Sequence, residues 1–150
     1  MGAEVTVLTR SAAKADEAKA LGAHHVLLAS DTDSIRRATG TFDFVLDTIP
    51  VVHELDPYLR LVRTHGALVL VGVIDTIPAF SSRLLIGGRK SLSGSAIGGI
   101  AETQELLDFC AANGVAADCE MTTMPRINEA FERMAKGDVR YRFVVDMQTL

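Results

Sequence analysis

The feature that most constrains this chain is an alternation. Short runs of β-branched and aliphatic residues are each followed by a stretch with helical spacing: EVTVLT leads into SAAKADEAKAL, HVLLA into SIRRA, FDFVLDTI into LDPYLRLV, and ALVLVGV into SSRLLI. A hydrophobic period of two that switches to a helical period and back marks successive βα units. Such units give mainly parallel strands, because each helical crossover carries the chain back before the next strand begins.

The pattern predicts strands at Glu4 to Thr9, His25 to Ala29, Phe42 to Ile49, Ala67 to Val73, Ser91 to Ala96 and Arg140 to Asp146, with one more before Pro125. Helices are expected from Ser11 as N-cap to Leu21, over Ser34 to Ala38, Leu55 to Val62, Ser81 to Ile86 and Glu102 to Ala112, and through Ile127, Ala130, Phe131, Met134 and Ala135. Ala67 to Val73 is the most continuously apolar run and reads as the middle strand, covered on both faces. The expected fold is α/β, a doubly wound, mainly parallel, Rossmann-like sheet in a single domain over residues 1–150. In such a sheet a Gly-rich turn after the first strand cradles a pyrophosphate at a helix N-terminus. The opening residues read as the second βα unit, so the first strand and its Gly-rich turn are expected to be lacking.

Composition removes other classes. With 150 residues, 48% hydrophobic and 23% charged, the chain has material for one ordinary core, and its net charge of −4 offers no basic stripe for nucleic acid. No apolar run approaches the roughly 20 residues of a membrane span, and no signal-peptide pattern opens the chain, which leads to a cytoplasmic expectation. Cys110 and Cys119 have neither metal-type nor disulfide spacing and are expected to be reduced. His24 and His25 should point to opposite faces, and His53 and His65 stand alone near loops, so no metal set is expected. No serine lies in a G-x-S-x-G elbow, and no catalytic residue is assigned.

The strings EAKALGA, FDFVLDTI, GALVLVGV, SLSGSAIGGIAETQELLDFCAANG and INEAFERMAKGDVRYRFVVD follow one another in the order of a known coenzyme domain. Through nearly its whole length the chain resembles the C-terminal, coenzyme-binding part of zinc-dependent alcohol dehydrogenases, in the cinnamyl alcohol dehydrogenase branch of the medium-chain family. The resemblance implies hydride transfer between NADP(H) and a primary alcohol or aldehyde in a full-length enzyme, with this chain alone inactive. Zinc would then be held by cysteine, histidine and carboxylate ligands in a preceding domain. A non-catalytic nucleotide-binding or dimerisation module is the other reading.

Where NAD-binding folds place an acid for the ribose 2′-OH, this chain has Thr9, Arg10 and Ser11. Taken alone, Ser11 reads as an N-cap, and Arg10 and Lys14 as solvated charges. With the resemblance, Arg10, Ser11 and Lys14 read as a clamp for a 2′-phosphate, hence an NADP(H) preference. Asp47 and Thr48 end one strand, and Val71, Gly72 and Val73 end the central one. The resemblance places these around the adenosine and nicotinamide parts, with the Val71 to Val73 backbone facing the carboxamide and Gly72 allowing close approach. A glycine that only makes a turn is the alternative. Ser95, Ile97 and Gly98 match a segment near the nicotinamide, and Arg140 one that pairs with the pyrophosphate; otherwise Arg140 is an exposed edge-strand charge. The resemblance also implies a homodimer joined through the Ser91 to Ala96 strand, unless a loop shields that edge.

Overall fold

The computed structural model describes residues 2–150. They pack as two compact units, one running to Ala96 and the other Ile97–Leu150. In the first unit, β1 (Thr6–Thr9) leads through α1 (Ala13–Ala20) to β2 (His25–Leu28), and α2 (Thr32–Arg37) to β3 (Phe42–Asp47). Then follow α3 (Asp56–Leu61), β4 (Val62–Leu70), α4 (Arg83–Ile86) and β5 (Ser91–Gly94). The second unit holds α5 (Ile100–Asn113), β6 (Glu120–Thr123), α6 (Ile127–Ala135) and β7 (Phe143–Asp146).

Each strand pairing is parallel, as the βα pattern requires. The hydrogen-bonded ladders form separate sheets, β1-β2, β3-β4-β5 and β6-β7, where the sequence suggested one. Within the first unit the break falls between β1 and β3, each of which has a single ladder neighbour among the described residues. In the doubly wound strand order 3-2-1-4-5-6 a further strand stands at that point, between the second and the fourth. The same edge leaves Phe44 and Leu46, on one face of β3, exposed. β4 is central in its sheet, as its apolarity implied.

Local chemistry moves several boundaries. Ser11 does not cap α1: its N–H donates to Thr9 Oγ1 at 3.2 Å, and the cap position falls to Ala12, whose side chain accepts nothing. Asp31 caps α2 instead, Oδ1 accepting from Ser34 N at 3.0 Å, so that helix begins two residues earlier than Ser34. Glu102 reaches back to the Gly99 N–H at 2.7 Å and draws the start of α5 to Ile100, while Gly114, at φ +63°, ends it in the left-handed conformation. The last strand shortens from Arg140 to Phe143, with the preceding residues forming the approach to it.

α3 runs into β4 with no loop, Leu61 and Val62 both being buried. Phe42 pairs with Val62 and Phe44 with Ala67, so residues 63–66 bulge from the ladder. Gly66 lies inside this strand, which begins earlier than the expected Ala67, at a point where a Cβ would stand 2.6 Å from the Asp43 carbonyl oxygen. Leu55, Leu59, Val62 and Leu68 form the core, with Val45, Tyr58, Leu70 and Leu92 packed against it. In the second unit Arg133 of α6 bonds Glu120 at 2.7 Å and Asp138 at 2.9 Å, and its guanidinium lies 4.9 Å from the Phe143 ring centroid.

Leu68 is fully buried on the central strand, so Leu68→Ala is expected to lower stability by about 3 kcal/mol through lost burial and a cavity. Denaturant unfolding of the two proteins checks this.

Candidate functional site

The carboxyl ends of β3, β4 and β5 lie in register, Asp47 beside Leu70 and Leu70 beside Gly94. The ladder continues past them. The Asp47 carbonyl accepts from Val71 N at 2.9 Å and Gly72 N at 3.1 Å, and the Leu70 carbonyl accepts from Ser95 N at 3.0 Å. The N–H groups of Val71 and Gly72 thus hold the two strand exits together, while the Val71 and Val73 side chains are exposed, Val73 at 85%. Gly72 does allow a close approach, but the approaching group is the chain's own backbone. A Cβ on Gly72 would stand 2.5 Å from the Ile49 carbonyl oxygen.

The Asp47 side chain is engaged within the chain. It is the one charged or polar side chain of the described residues that is fully buried, at 4% exposure. Its Oδ1 accepts from Ile49 N at 2.9 Å, and its Oδ2 lies 2.8 Å from His53 Nε2. His53 is therefore not alone near a loop. Its Nδ1 lies 2.7 Å from the Val51 carbonyl, which can only accept, so Nδ1 carries a hydrogen. With Nε2 facing a carboxylate, both bonds are made by donation only when the ring is protonated. Burial pulls the His53 pKa down, but the Val51 carbonyl and the Asp47 hydrogen bond and charge together outweigh it, and the net displacement is upward.

Tyr58 completes the cluster, its ring meeting that of His53 edge-on with centroids 5.4 Å apart. Burial and then the Asp47 charge push the Tyr58 hydroxyl pKa up, against the opposing charge of Arg10. The tip of β1 thus lies close enough to α3 for the Arg10 guanidinium to act on Tyr58. Arg10 and Lys14 are exposed, Ser11 and Thr9 half-buried, and Thr48 exposed beside Asp47. Ser11 and Thr9 are engaged with each other, and the Lys14 N–H donates to the Ser11 carbonyl at 3.2 Å, so the three clamp candidates share one short turn.

Ser95 and Gly98 are exposed and Ile97 is 98% exposed, with Ile97 and Gly98 opening the second unit. Arg140 belongs to that unit, its N–H donating to Glu120 Oε1 at 2.8 Å. An open cavity of about 710 Å³ borders β1, β2 and the start of β3, with Glu4, Lys19, His24, His25, Phe42 and Asp43 among its walls. None of the candidate residues lines it. His25 and Glu4 pair at 2.7 Å, and His24 Nδ1 accepts from Val5 N. Among the described residues no three His, Cys, Asp or Glu side chains gather as a metal ion needs, so they do not fit a zinc ion.

Parallel strands ending in a basic tip on β1 and a braced, tightly packed exit on β3 and β4 define a Rossmann-like coenzyme-binding domain. The sequence matches the model of the zinc-binding dehydrogenases over residues 1–112, and the chain belongs to that family. It is 49% identical over 148 residues to probable cinnamyl alcohol dehydrogenase 1 of Nicotiana tabacum, covering 98% of this chain and 42% of the tobacco protein. Two solved structures share the fold. A cinnamyl alcohol dehydrogenase of Sorghum bicolor superposes with TM-score 0.86 at 38% identity, over 95% of this chain and 40% of that one. The Helicobacter pylori enzyme complexed with NADP(H) gives TM-score 0.81 at 32% identity, over 99% and 42%. The chain thus spans about two fifths of the length of these relatives.

A group whose pKa is raised on folding contributes stability that is fully present below its unfolded value, about 6.5 for histidine, and is lost as pH rises through the folded pKa. His53→Gln leaves the Asp47 carboxylate buried without its counter-charge and is expected to cost about 3 kcal/mol near pH 6. The deficit should shrink at alkaline pH, where the native ring is also neutral. Urea unfolding of both proteins across that range measures it.

Proposed function

We propose that this chain is the cofactor-binding part of an NADP(H)-dependent alcohol dehydrogenase or aldehyde reductase. The observation that carries the reading is the tip of β1: Thr9, Arg10 and Ser11 stand where an acid would hold a ribose 2′-OH, with Lys14 in the first turn of α1. A cation there attracts a 2′-phosphate, and Arg10 offers it a planar, two-pronged donor. Membership of the zinc-binding dehydrogenases and likeness to a relative solved with NADP(H) support the same cofactor. When bound, the cofactor supplies or accepts the hydride. The chain's own part is to hold the adenosine half at the ends of β1 and β3 and to keep the β4 exit packed against the β3 exit.

The same reading takes substrate choice and zinc from residues outside this chain and leaves the chain inactive by itself, in a cytoplasmic setting. Calorimetric titration is expected to give NADPH binding about tenfold tighter than NADH, a difference of about 1.4 kcal/mol. Arg10→Ala should remove most of that preference while leaving NADH binding unchanged. Equal affinity for the two cofactors, or none for either, would refute the reading.

Assembly belongs to this proposal as well. β5 pairs only with β4 among the described residues, and its other edge can add to a second copy across a two-fold axis. Light scattering behind size exclusion should report twice the 16.1 kDa chain mass; a monomer at micromolar concentration rejects the pairing.

A further inference from the structure

Between the end of β3 and the start of α3 the chain makes a short excursion, residues 48–55, that contains Pro50 and has no regular structure. Few bonds fix it. The Asp47 carboxylate gathers the Ile49 N–H and the His53 ring, and the same ring binds back to the Val51 carbonyl. One protonated imidazole thereby closes a loop from Asp47 through Val51 to His53. Residues 48–49 are also the segment against which Gly72 packs, so the position of the β4 exit depends on it.

We propose that the Asp47–His53 pair is a positioning pair for the cofactor edge: protonated His53 anchors residues 48–53, and its deprotonation frees them and weakens NADPH binding. This rests on the NADP(H) reading above. Neither residue touches the cofactor in this scheme. Both act through the backbone of the β3 and β4 exits. The charged group that acts on His53 is Asp47 on β3; Tyr58 on α3 meets the ring edge-on and itself feels the Arg10 charge, and Glu54 and Asp56 lie on the histidine's own stretch of chain. Asp56 accepts from Ser81 N at 3.3 Å and Glu54 is exposed, which leaves Asp47 as the carboxylate that bonds the ring. Loss of the ring proton removes one of the two donated bonds, and the neutral ring keeps either Val51 or Asp47 but not both.

The 150-residue chain, labelled with ¹⁵N at histidine and backbone, supplies three readouts from about pH 5.5 to about pH 9: the His53 ring titration, amide exchange at Ile49, and NADPH affinity by calorimetry. As His53 loses its proton, the protection of the Ile49 amide, its exchange measured against the intrinsic base-catalysed rate at each pH, should fall, and affinity should fall by about fivefold, an ordinary size for two coupled sites. The cofactor's own 2′-phosphate titrates near pH 6 and works in the opposite direction, so wild type is compared with His53→Gln and Asp47→Asn. Both variants should bind NADPH more weakly at acid pH and lose the wild-type fall in affinity at alkaline pH. Asp47→Asn keeps an acceptor for the Ile49 N–H, so its shape is retained while the ion pair is not. Identical pH profiles in wild type and variants overturn the proposal. So does wild-type Ile49 protection that stays constant through the His53 titration, a result that needs no variant to fold. Absence of NADPH binding at every pH overturns the cofactor reading and this one together, and is told apart from failure of the pair alone by a His53 titration still visible in the same sample.

Discussion

The first unit is organised around a single buried carboxylate. Asp47 ends β3, and both its carbonyl and its carboxylate are used: its carbonyl carries the β4 exit through Val71 and Gly72, while its side chain carries the Ile49 N–H and the His53 ring. A buried charge of this kind is tolerated only when paired and hydrogen-bonded. Here that requirement is met by residues up to six positions further on, so satisfying the acid also dictates the path of the chain between β3 and α3. The core residue Leu55 lies directly beyond this path and anchors its far end.

Close backbone packing follows from the same arrangement. With residues 48–49 drawn over the end of β3, there is no room for a side chain at position 72, and glycine is the residue that fits. The tip of β1 contributes differently. Its exposed cations are not locked in ion pairs with the Asp47 cluster, although the Arg10 charge is felt at Tyr58. The first unit thus combines a braced exit on β3 and β4 with cations at the β1 tip that stay exposed.

The strands were legible because their β-branched runs, such as FDFVLD and ALVLVG, can be buried only in a sheet, and α5 and α6 because their apolar residues recur at helical spacing. Boundaries were less so, since they depend on which side chain captures a stray N–H. Thr9 Oγ1 accepts the Ser11 N–H while Ala12, not Ser11, stands at the cap of α1, and Asp31 begins α2 early. The break between β1 and β3 reflects ladder partners, which no local pattern encodes. Of the site, the basic tip of β1 reads as a phosphate clamp only through the resemblance, since by residue type alone Arg10 and Lys14 are solvated charges. His53 was missed because its role comes from an acid at the end of a strand folding back on a histidine six residues later. An apolar strand closing on an aspartate, followed by a proline and then a histidine, is the signal that could have found it.

The direct passage from α3 into β4 has a consequence for how chains of this kind can change over time. Leu61 and Val62 are both buried and no loop lies between them. One inserted residue at that junction would turn every following side chain of β4 to the opposite face, taking Leu68 out of the core. Length variation must therefore accumulate elsewhere, in exposed stretches such as 75–77, while the helix-to-strand junction tolerates substitution but not insertion.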